Sequence, residues 1–344
     1  MRVSDFDYRL PPELIAQKPL SKRDRSRMMI LHRESGEILH SHFFKLPAYL
    51  GKGDVIVVNS SKVIPAKIWG KKKEGKPIEF LFLKEKDKGK WEVLCRPAKK
   101  VKVGDRIVFS PNLEGEVVGV QPEGKRVLQF FSINVLSQLK KKGYAPLPPY
   151  IKRRKNKTDL RDLDLERYQT VFAKKEGSIA APTAGLHFTP ELLGKLKAKG
   201  SEVCEISLDV GLATFQPVRV KAVKDHQMLE EAYEIPLKTA QSLSSALKEN
   251  RSITAVGTTT VRALESAYTN GEIFPGKAST SLFIYPGYQF HVVDKLLTNF
   301  HLPKSTLLML VSAFVNLDFV KKAYQEAVAH KYRFYSYGDC MLIL

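Results

Sequence analysis

Cysteine is scarce in this chain, and the few cysteines are not spaced like metal ligands or disulfide partners. Cys95, Cys204 and Cys340 are far apart in the sequence and odd in number. Zinc sites and disulfide-rich domains depend on closely paired cysteines, so neither organises this protein. Because free cysteine is usually buried, we expect three buried thiols in a protein of the reducing cytoplasm.

Long apolar segments are also missing. No run approaches the roughly 20 apolar residues that cross a bilayer. Leu307 to Val315 comes nearest, and because Ser312 interrupts it we expect a buried helix there. Met1 to Tyr8 contains two aspartates and no apolar stretch, so no signal peptide is expected. The sequence therefore argues against a membrane protein.

Several common cofactor motifs are absent as well. The chain has no Gly-x-Gly-x-x-Gly after a strand, no Gly-Lys-Ser/Thr phosphate loop and no His-Glu-x-x-His pair. These absences argue against dinucleotide-dependent enzymes, P-loop enzymes and zinc peptidases.

Positive charge, by contrast, is abundant. Lysine and arginine number 56 against 36 acidic residues, which gives a net charge of +20. Such an excess favours a polyanionic partner, most commonly RNA or DNA, because phosphates are attracted over a long range. The alternative is a lysine-rich solvated surface, to which runs such as Lys71 to Lys73 commonly belong.

The hydrophobic pattern predicts two kinds of structure. Between residues 66 and 149, short apolar runs alternate with Gly, Pro, Asp and Lys, which is typical of a small β-barrel. The alternation of helical and strand-like segments in residues 1–65 and 150–344 predicts a layered α/β domain with a mixed sheet, into which the barrel is inserted. In the α/β part we expect strands at 28–31, 37–39, 54–58, 201–208, 252–256 and 281–285, and helices at 190–199, 237–249, 260–268, 305–314 and 319–330.

Four polar segments precede or follow these elements in positions suited to ligand binding. They combine small residues, hydroxyls and histidines near helix starts, where backbone amides attract anions and a flat ligand can approach closely. Ordinary helix caps and strand–helix turns would look similar. From the residues alone we infer a basic α/β enzyme with a β-barrel that binds something flat and phosphate-bearing; the segments are 178–189, 257–260, 298–306 and 335–339.

The same segments resemble a known family. The chain is similar from end to end to the S-adenosylmethionine:tRNA ribosyltransferase-isomerases of queuosine biosynthesis. The resemblance rests on residues 5–8, 10–11, 14–17, 23–24, 26–27, 96–99, 168–189, 257–259, 284–288, 298–311 and 332–339.

This resemblance implies a specific reaction. Family enzymes transfer the ribosyl part of S-adenosylmethionine to 7-aminomethyl-7-deazaguanine at the tRNA wobble position, and isomerisation gives epoxyqueuosine with release of adenine and methionine. The resemblance implies an α/β domain with an inserted barrel, and neither a metal nor a bound cofactor. We expect a monomer.

The chemistry of this reaction suggests roles for particular residues. A general base near the acidic 5′ carbon and a proton donor to adenine are required, and we expect them among His187, His301, Asp339 and Glu166. A fixed cation suits the methionine carboxylate, and Arg262 or Lys304 is expected there. Hydrogen bonds to adenine, ribose or other substrate groups are expected from Gln169, Thr183, Thr258 and Asn59. Phosphates of the tRNA are expected to meet Arg96, Lys99, Arg153 and Arg154.

The sequence departs from the family pattern in three loops. Asn59-Ser60-Ser61-Lys62-Val63 stands where the family usually reads Asn-Asp-Thr-Arg-Val, so an acidic residue is missing and lysine replaces a bidentate arginine. Asp209 replaces a common histidine, and Leu229 replaces the second residue of a Met-His pair.

Two other functions remain open at this level. A methyltransferase using S-adenosylmethionine is disfavoured because its glycine-rich first loop is absent. A non-catalytic RNA-binding protein suits the barrel and the charge, but does not explain the polar segments at several helix starts.

Overall fold

The structure, a computed structural model, describes residues 1–131, 134–153, 160–211 and 218–344. The chain begins with a segment of short 3-10 turns that packs Val3 and Phe6 into the core. Four strands follow: β1 (Arg27–Leu31), β2 (Ile38–His42), β3 (Val55–Asn59) and β4 (Ser61–Val63). Strands β1 and β2 correspond to the strands expected at 28–31 and 37–39 and pair antiparallel, and every residue of β3 is buried.

The next segment forms a six-stranded antiparallel sheet in the order β5-β6-β7-β10-β9-β8. Its members are β5 (Lys67–Gly70), β6 (Ile78–Asp87), β7 (Lys90–Arg96), β8 (Arg106–Ser110), β9 (Leu113–Val120) and β10 (Lys125–Gln129).

This second sheet curls nearly into a barrel. Lys71 and Val108 exchange two backbone hydrogen bonds of 2.9 Å, which join the two edges. Alternate residues of β6, including Phe80 and Phe82, are buried inside. Helix α1 (Val135–Lys142) follows, and the side chain of Asn134 accepts a hydrogen bond from the Ser137 N–H to start it. The six strands all lie inside the segment predicted as the insertion.

The rest of the chain alternates helices with strands. The elements are α2 (Arg161–Arg167), β11 (Lys175–Ser178), α3 (Pro190–Ala198), β12 (Glu202–Leu208), β13 (Glu231–Ile235), α4 (Leu237–Lys248), β14 (Ile253–Val256), α5 (Thr258–Ala267), β15 (Tyr268–Thr269), β16 (Glu272–Ile273), β17 (Gly276–Thr280), β18 (Lys295–Asn299), α6 (Thr306–Phe314), α7 (Leu317–Ala329) and β19 (Cys340–Ile343).

The large sheet has nine strands in the order β17-β13-β12-β3-β14-β18-β19-β1-β2. Its centre, β12 to β18, is parallel. The pairs β12–β13, β13–β17, β18–β19 and β1–β2 are antiparallel, and β1 pairs parallel with β19. The expectation of an α/β domain with a mixed sheet and an additional small β-barrel is confirmed. Because the four central strands run the same way, their carboxyl ends meet at one edge of the sheet.

One predicted strand is wrong. Residues 281–285 form no strand; the edge strand is β17, just before them. The reason is that backbone groups in this segment bond side chains instead of a neighbouring strand. The Leu282 N–H donates to Thr280 Oγ1 over 3.0 Å, and the Leu282 carbonyl accepts from Arg262 Nε over 2.9 Å.

Other expectations for the α/β part hold. The expected helix at Leu307 to Val315 is confirmed as α6, and all three cysteines are buried and free. Within the described part of the chain, no helix has the length and apolarity needed to span a membrane.

Gly143 is expected to tolerate no side chain. A Cβ there would lie 1.9 Å from Pro65 O and 2.6 Å from Leu139 O, both backbone atoms. Gly143→Ala is therefore expected to lower the free energy of unfolding by at least the about 1–3 kcal/mol typical of overpacking. Chemical denaturation measures this change.

Gly194 provides the matched control. It lies in α3, and no atom would lie within 4 Å of an added Cβ. Gly194→Ala is expected to raise stability by about 0.5–1 kcal/mol, because glycine is a poor helix former. Equal stabilities for the two variants would contradict the packing described at Gly143.

Candidate active site

A cleft opens at the edge where the parallel strands end. Its empty space, including the open mouth, is about 620 Å³. All four polar segments singled out in the sequence contribute to its walls, and no acidic or basic residue other than a histidine is among its described lining residues. The walls are formed by Tyr150, Tyr168, Ala180 to Ala184, Val210, Gly257 to Thr259, Thr298 to Leu302, Leu307, Tyr335 and Ser336.

The turn from β14 into α5 shows how the sequence builds this cleft. Gly257 has a φ of +92°, a backbone conformation that other residues rarely adopt. Its N–H donates to Leu297 O over 2.8 Å, and Thr260 Oγ1 donates to Val256 O over 2.7 Å. These bonds fix the turn, so that Thr258 and Thr259 face the cleft.

Three polar atoms in the wall have no hydrogen-bond partner among the described residues. They are Tyr168 Oη, Thr259 Oγ1 and Asn299 Oδ1, and each atom is fully buried. A buried polar group without a partner costs free energy, and native proteins satisfy nearly all of them. These three atoms are therefore candidates for hydrogen bonds to a ligand in the cleft.

His187 lies behind this wall and is held on both sides. Its Nδ1 lies 2.7 Å from Ser26 Oγ, and its Nε2 lies 3.2 Å from Asn299 Nδ2. Asn299 Nδ2 also donates to the carbonyls of Tyr335 and Asp339 over 3.3 and 3.2 Å. These carbonyls define Nδ2 as the donor end, so His187 Nε2 accepts and Nδ1 carries the proton. These contacts fix the orientation of the Asn299 amide, and its Oδ1 remains available to accept a hydrogen bond from a ligand in the cleft.

The protonation of His187 agrees with this arrangement. Burial, with smaller contributions from the positive charges of Arg333 and Arg23, lowers the pKa of His187 to about 3. The imidazole is therefore neutral at physiological pH. Through its contact with Asn299, His187 orients that side chain. His187 is not itself among the lining residues of the cleft.

His301 lines the cleft itself. Its Nε2 lies 2.8 Å from Thr298 Oγ1, and its backbone N–H donates to Tyr324 Oη over 2.9 Å. Burial lowers the pKa of His301 to about 3, so this imidazole too is neutral at physiological pH. It is the one imidazole among the described lining residues.

Of the other predicted site residues, Thr183 and Thr258 line the cleft. The side chains of Gln169, Asn59 and Asp339 instead form hydrogen bonds with backbone groups of the fold. The Gln169 amide accepts from Val63 N–H over 3.0 Å and donates to Val63 O over 3.2 Å. Asn59 bonds both backbone groups of Leu208, and the Asp339 carboxylate accepts the backbone N–H groups of Arg27 and Arg333.

The predicted carboxylate partners do not line the cleft. Arg262 forms a buried ion pair with Glu231 and also donates to backbone carbonyls. Lys304 lies 2.7 Å from Asp7 at the surface. Glu166, predicted as an acid or base, is exposed and also lies outside the cleft walls.

The residues predicted to meet tRNA differ in their availability. Arg96 and Lys99 are exposed on the barrel. Arg153 forms a bidentate ion pair with the buried Asp164, over 2.7 and 2.8 Å, which raises the pKa of Arg153. Arg154 lies outside the described residues.

The departures from the family pattern also have definite places. Ser60 Oγ donates to Ile206 O over 2.9 Å, and Lys62 Nζ lies 3.5 Å from Glu176. Burial raises the pKa of Asp209, which is not among the lining residues. Leu229 is 39% exposed.

Sequence reasoning missed several residues that shape the site. Asn299 and Tyr168 were within quoted motifs but were not chosen, because nothing in a sequence shows which polar atom lacks a partner. A second cavity of about 300 Å³ was missed entirely, although it adjoins the cleft through Ser336 and contains two arginines. It is lined by Pro19, Leu20, Arg23, Ser26, Arg167, Leu186, His187, Ser336, Tyr337 and Gly338.

One group among the described residues has the side chains of a metal site. His40, Glu326 and His330 bring their ligand atoms within 4.8 Å of one another. His40 already bonds Glu326 through Nε2, over 2.9 Å, and Tyr332 Oη through Nδ1, over 2.7 Å. None of these residues lines the cleft.

Comparison with known proteins identifies the family. The model of the family described as "Queuosine biosynthesis protein" matches residues 3–343. The chain belongs to the queuosine biosynthesis protein family. Proteins named S-adenosylmethionine:tRNA ribosyltransferase-isomerase from Carboxydothermus hydrogenoformans and Symbiobacterium thermophilum are each 50% identical to it, and each match covers 100% of both chains.

A solved structure is similar as well. The crystal structure of S-adenosylmethionine tRNA ribosyltransferase from Thermotoga maritima is 40% identical, with a TM-score of 0.57 over 99% of this chain and 100% of that one. The resemblance of this queuosine biosynthesis family member to its relatives, inferred from its motifs, is confirmed.

Proposed function

We propose that this protein is an S-adenosylmethionine:tRNA ribosyltransferase-isomerase. Its full-length identity of about one half to proteins of that name supports the assignment. The observation that carries it in the structure is the cleft, whose walls offer three buried polar atoms without partners beside aromatic rings. A nucleoside fits these features, because it has flat apolar faces and a polar edge.

The details of the reaction follow from the family resemblance. The acceptor is 7-aminomethyl-7-deazaguanine at the wobble position of tRNA, and the products are epoxyqueuosine, adenine and methionine. The protein works as a cytoplasmic monomer without a metal or bound cofactor.

The lack of charge in the described walls suits the first chemical step. Removing a proton from the carbon beside the sulfonium converts a cation into a neutral ylide. A surrounding without counter-charges disfavours the cation and so favours this conversion. The rings of Tyr150 and Tyr335, whose centroids lie 4.7 Å apart, provide faces that accommodate the base or the sulfonium before it reacts.

Proton transfer is assigned to His301. It lines the cleft, it is neutral, and Thr298 Oγ1 fixes its Nε2. His187 is assigned the orientation of Asn299, because both of its ring nitrogens already have protein partners. On the tRNA side, the net charge of +20 and the exposed Arg96 and Lys99 supply attraction to phosphates without reading sequence.

The test is an incubation of the protein with S-adenosylmethionine and tRNA carrying 7-aminomethyl-7-deazaguanine, followed by mass spectrometry of the nucleosides. Epoxyqueuosine with one equivalent of adenine supports the proposal. A methylated base would identify a methyltransferase. Unchanged tRNA, from folded protein that binds it, would identify an RNA-binding protein without this activity.

Tyr168→Phe is expected to weaken substrate binding without weakening the fold. The hydroxyl makes no well-aligned hydrogen bond with the described residues, and its nearest polar neighbours are Ser336 and the Ala181 backbone, so its removal takes little from the free protein. With substrate bound, one neutral hydrogen bond is lost, and KM for S-adenosylmethionine is expected to rise about 2- to 10-fold. Steady-state kinetics and thermal denaturation measure the two effects. A lower melting temperature with unchanged KM would assign the hydroxyl a structural role.

A further inference from the structure

The second cavity holds two arginines whose charges are not balanced by any lining residue. Arg23 and Arg167 both line it, and none of the described lining residues is acidic. Both side chains are half-buried. Like charges held together away from water are unfavourable unless an anion joins them.

Backbone carbonyls hold both guanidinium groups in place. Arg23 donates to Leu186 O and Glu166 O, each over 3.1 Å. Arg167 donates to Leu20 O over 2.8 Å and to Ser21 O over 3.2 Å. These bonds use only part of the five N–H donors of each group, and Arg167 Nε is buried without a partner among the described residues.

The electrostatics agree with this geometry. Burial and then the neighbouring charge of Arg167 lower the pKa of Arg23, and the carboxylate of Glu166, outside the lining, opposes them; Arg23 stays charged at physiological pH. The same cavity contains His187, whose positive form is further disfavoured by Arg23. Two arginines in a described lining without an acidic residue suit an anionic ligand.

The cavity adjoins the substrate cleft. Ser336 lines both, and His187 of the second cavity contacts Asn299 of the cleft. We propose that Arg23 and Arg167 form an anion subsite that binds the carboxylate of the methionine part of S-adenosylmethionine while the nucleoside occupies the cleft. This assignment rests on the proposed function. A phosphate of the tRNA is the other source of the same chemistry.

The first test changes the substrate and leaves the protein intact. S-adenosylmethionine is compared with its decarboxylated form, which keeps the sulfonium and lacks the carboxylate. The wild-type protein is expected to show a KM about 10- to 100-fold higher for the decarboxylated compound, the usual effect of losing charge-assisted hydrogen bonds. Equal KM values would overturn the assignment to the methionine carboxylate.

The second test changes the protein. Arg167→Met is expected to raise KM for S-adenosylmethionine by a similar factor and to bring the ratio of the two KM values towards one. Arg33→Met is the matched control, because the Arg33 guanidinium also donates to two backbone carbonyls, those of Leu344 and Asp294, and lines neither cavity. Melting temperatures of both variants show whether they fold.

The outcomes separate the sources of the anion. A rise in KM for tRNA alone would support the anion subsite and assign it to a phosphate. Folded Arg167→Met with the kinetics of Arg33→Met would overturn the subsite.

The subsite and the proposed function can fail separately. Absence of epoxyqueuosine from the wild-type reaction would count against the proposed function. Calorimetric binding of the two compounds would then still test the subsite, and equal affinities would overturn it.

Discussion

Replacing His187 by leucine is expected to reduce kcat/KM for S-adenosylmethionine by about 10- to 100-fold, whereas His187→Gln is expected to keep most of the activity. Leucine removes one of the three acceptors around Asn299 Nδ2 and also the ring partner of the buried Ser26 hydroxyl, and losing such buried partners costs about 1–3 kcal/mol. Asn299 is then held only by the carbonyls of Tyr335 and Asp339, and its Oδ1 is oriented less firmly towards the cleft. The Oε1 of glutamine replaces the Nε2 acceptor.

The same pair of variants distinguishes orientation from proton transfer. If His187 were the general base, His187→Gln would lose the about 10²- to 10⁴-fold that such a group contributes. With orientation as its role, the pH profile of His187→Gln should overlie that of the wild type, because the pKa of His187 is already lowered to about 3. Steady-state kinetics between pH 6 and 9, a range that begins about three units above this pKa, provide the measurement. A loss in His187→Gln as large as that in His187→Leu would contradict the role assigned here.

Breaking the ion pair between Arg262 and Glu231 is expected to cause the largest loss of stability. Both side chains are almost fully buried, and Glu231 also accepts the backbone N–H of Gly211 over 2.9 Å. Removing one partner leaves a buried charge uncompensated, so Glu231→Gln or Arg262→Met is expected to cost about 3–5 kcal/mol. Chemical denaturation measures the loss.

The double variant provides the control for this pair. In Glu231→Gln combined with Arg262→Met no isolated charge remains buried, and stability is expected to recover in part. Additive losses would show that packing, rather than charge, holds this position. A higher KM for S-adenosylmethionine in folded Arg262→Met would support the original expectation that Arg262 binds the methionine carboxylate.

Local patterns in the sequence predicted most of the fold because they depend on neighbouring residues. Asn134 and Thr189 cap α1 and α3 through contacts three residues away, which a sequence displays directly. The strand expected at 281–285 was wrong because Arg262, distant in sequence, takes the carbonyl of Leu282. Long-range side-chain contacts of this kind leave no local pattern.

The candidate site was predictable only in part for the same reason. Motifs located the four segments of the cleft, and His301, Thr183 and Thr258 do line it. Motifs did not show that Arg262 was already paired, or that Asn299 had an oxygen to spare. Which polar groups remain available depends on how all the others are satisfied, and only the folded arrangement determines that.

The way the barrel is attached has a consequence for how such a protein can arise. Lys67 and Tyr144, at the two ends of the barrel segment, exchange backbone hydrogen bonds of 3.2 and 2.7 Å. The chain thus leaves the α/β part and returns to it at neighbouring points, much as it does across a hairpin turn. For the large sheet, gaining or losing the whole barrel is equivalent to lengthening or shortening one surface loop. A recombination event could therefore have added the barrel without altering the register of a single strand that builds the cleft.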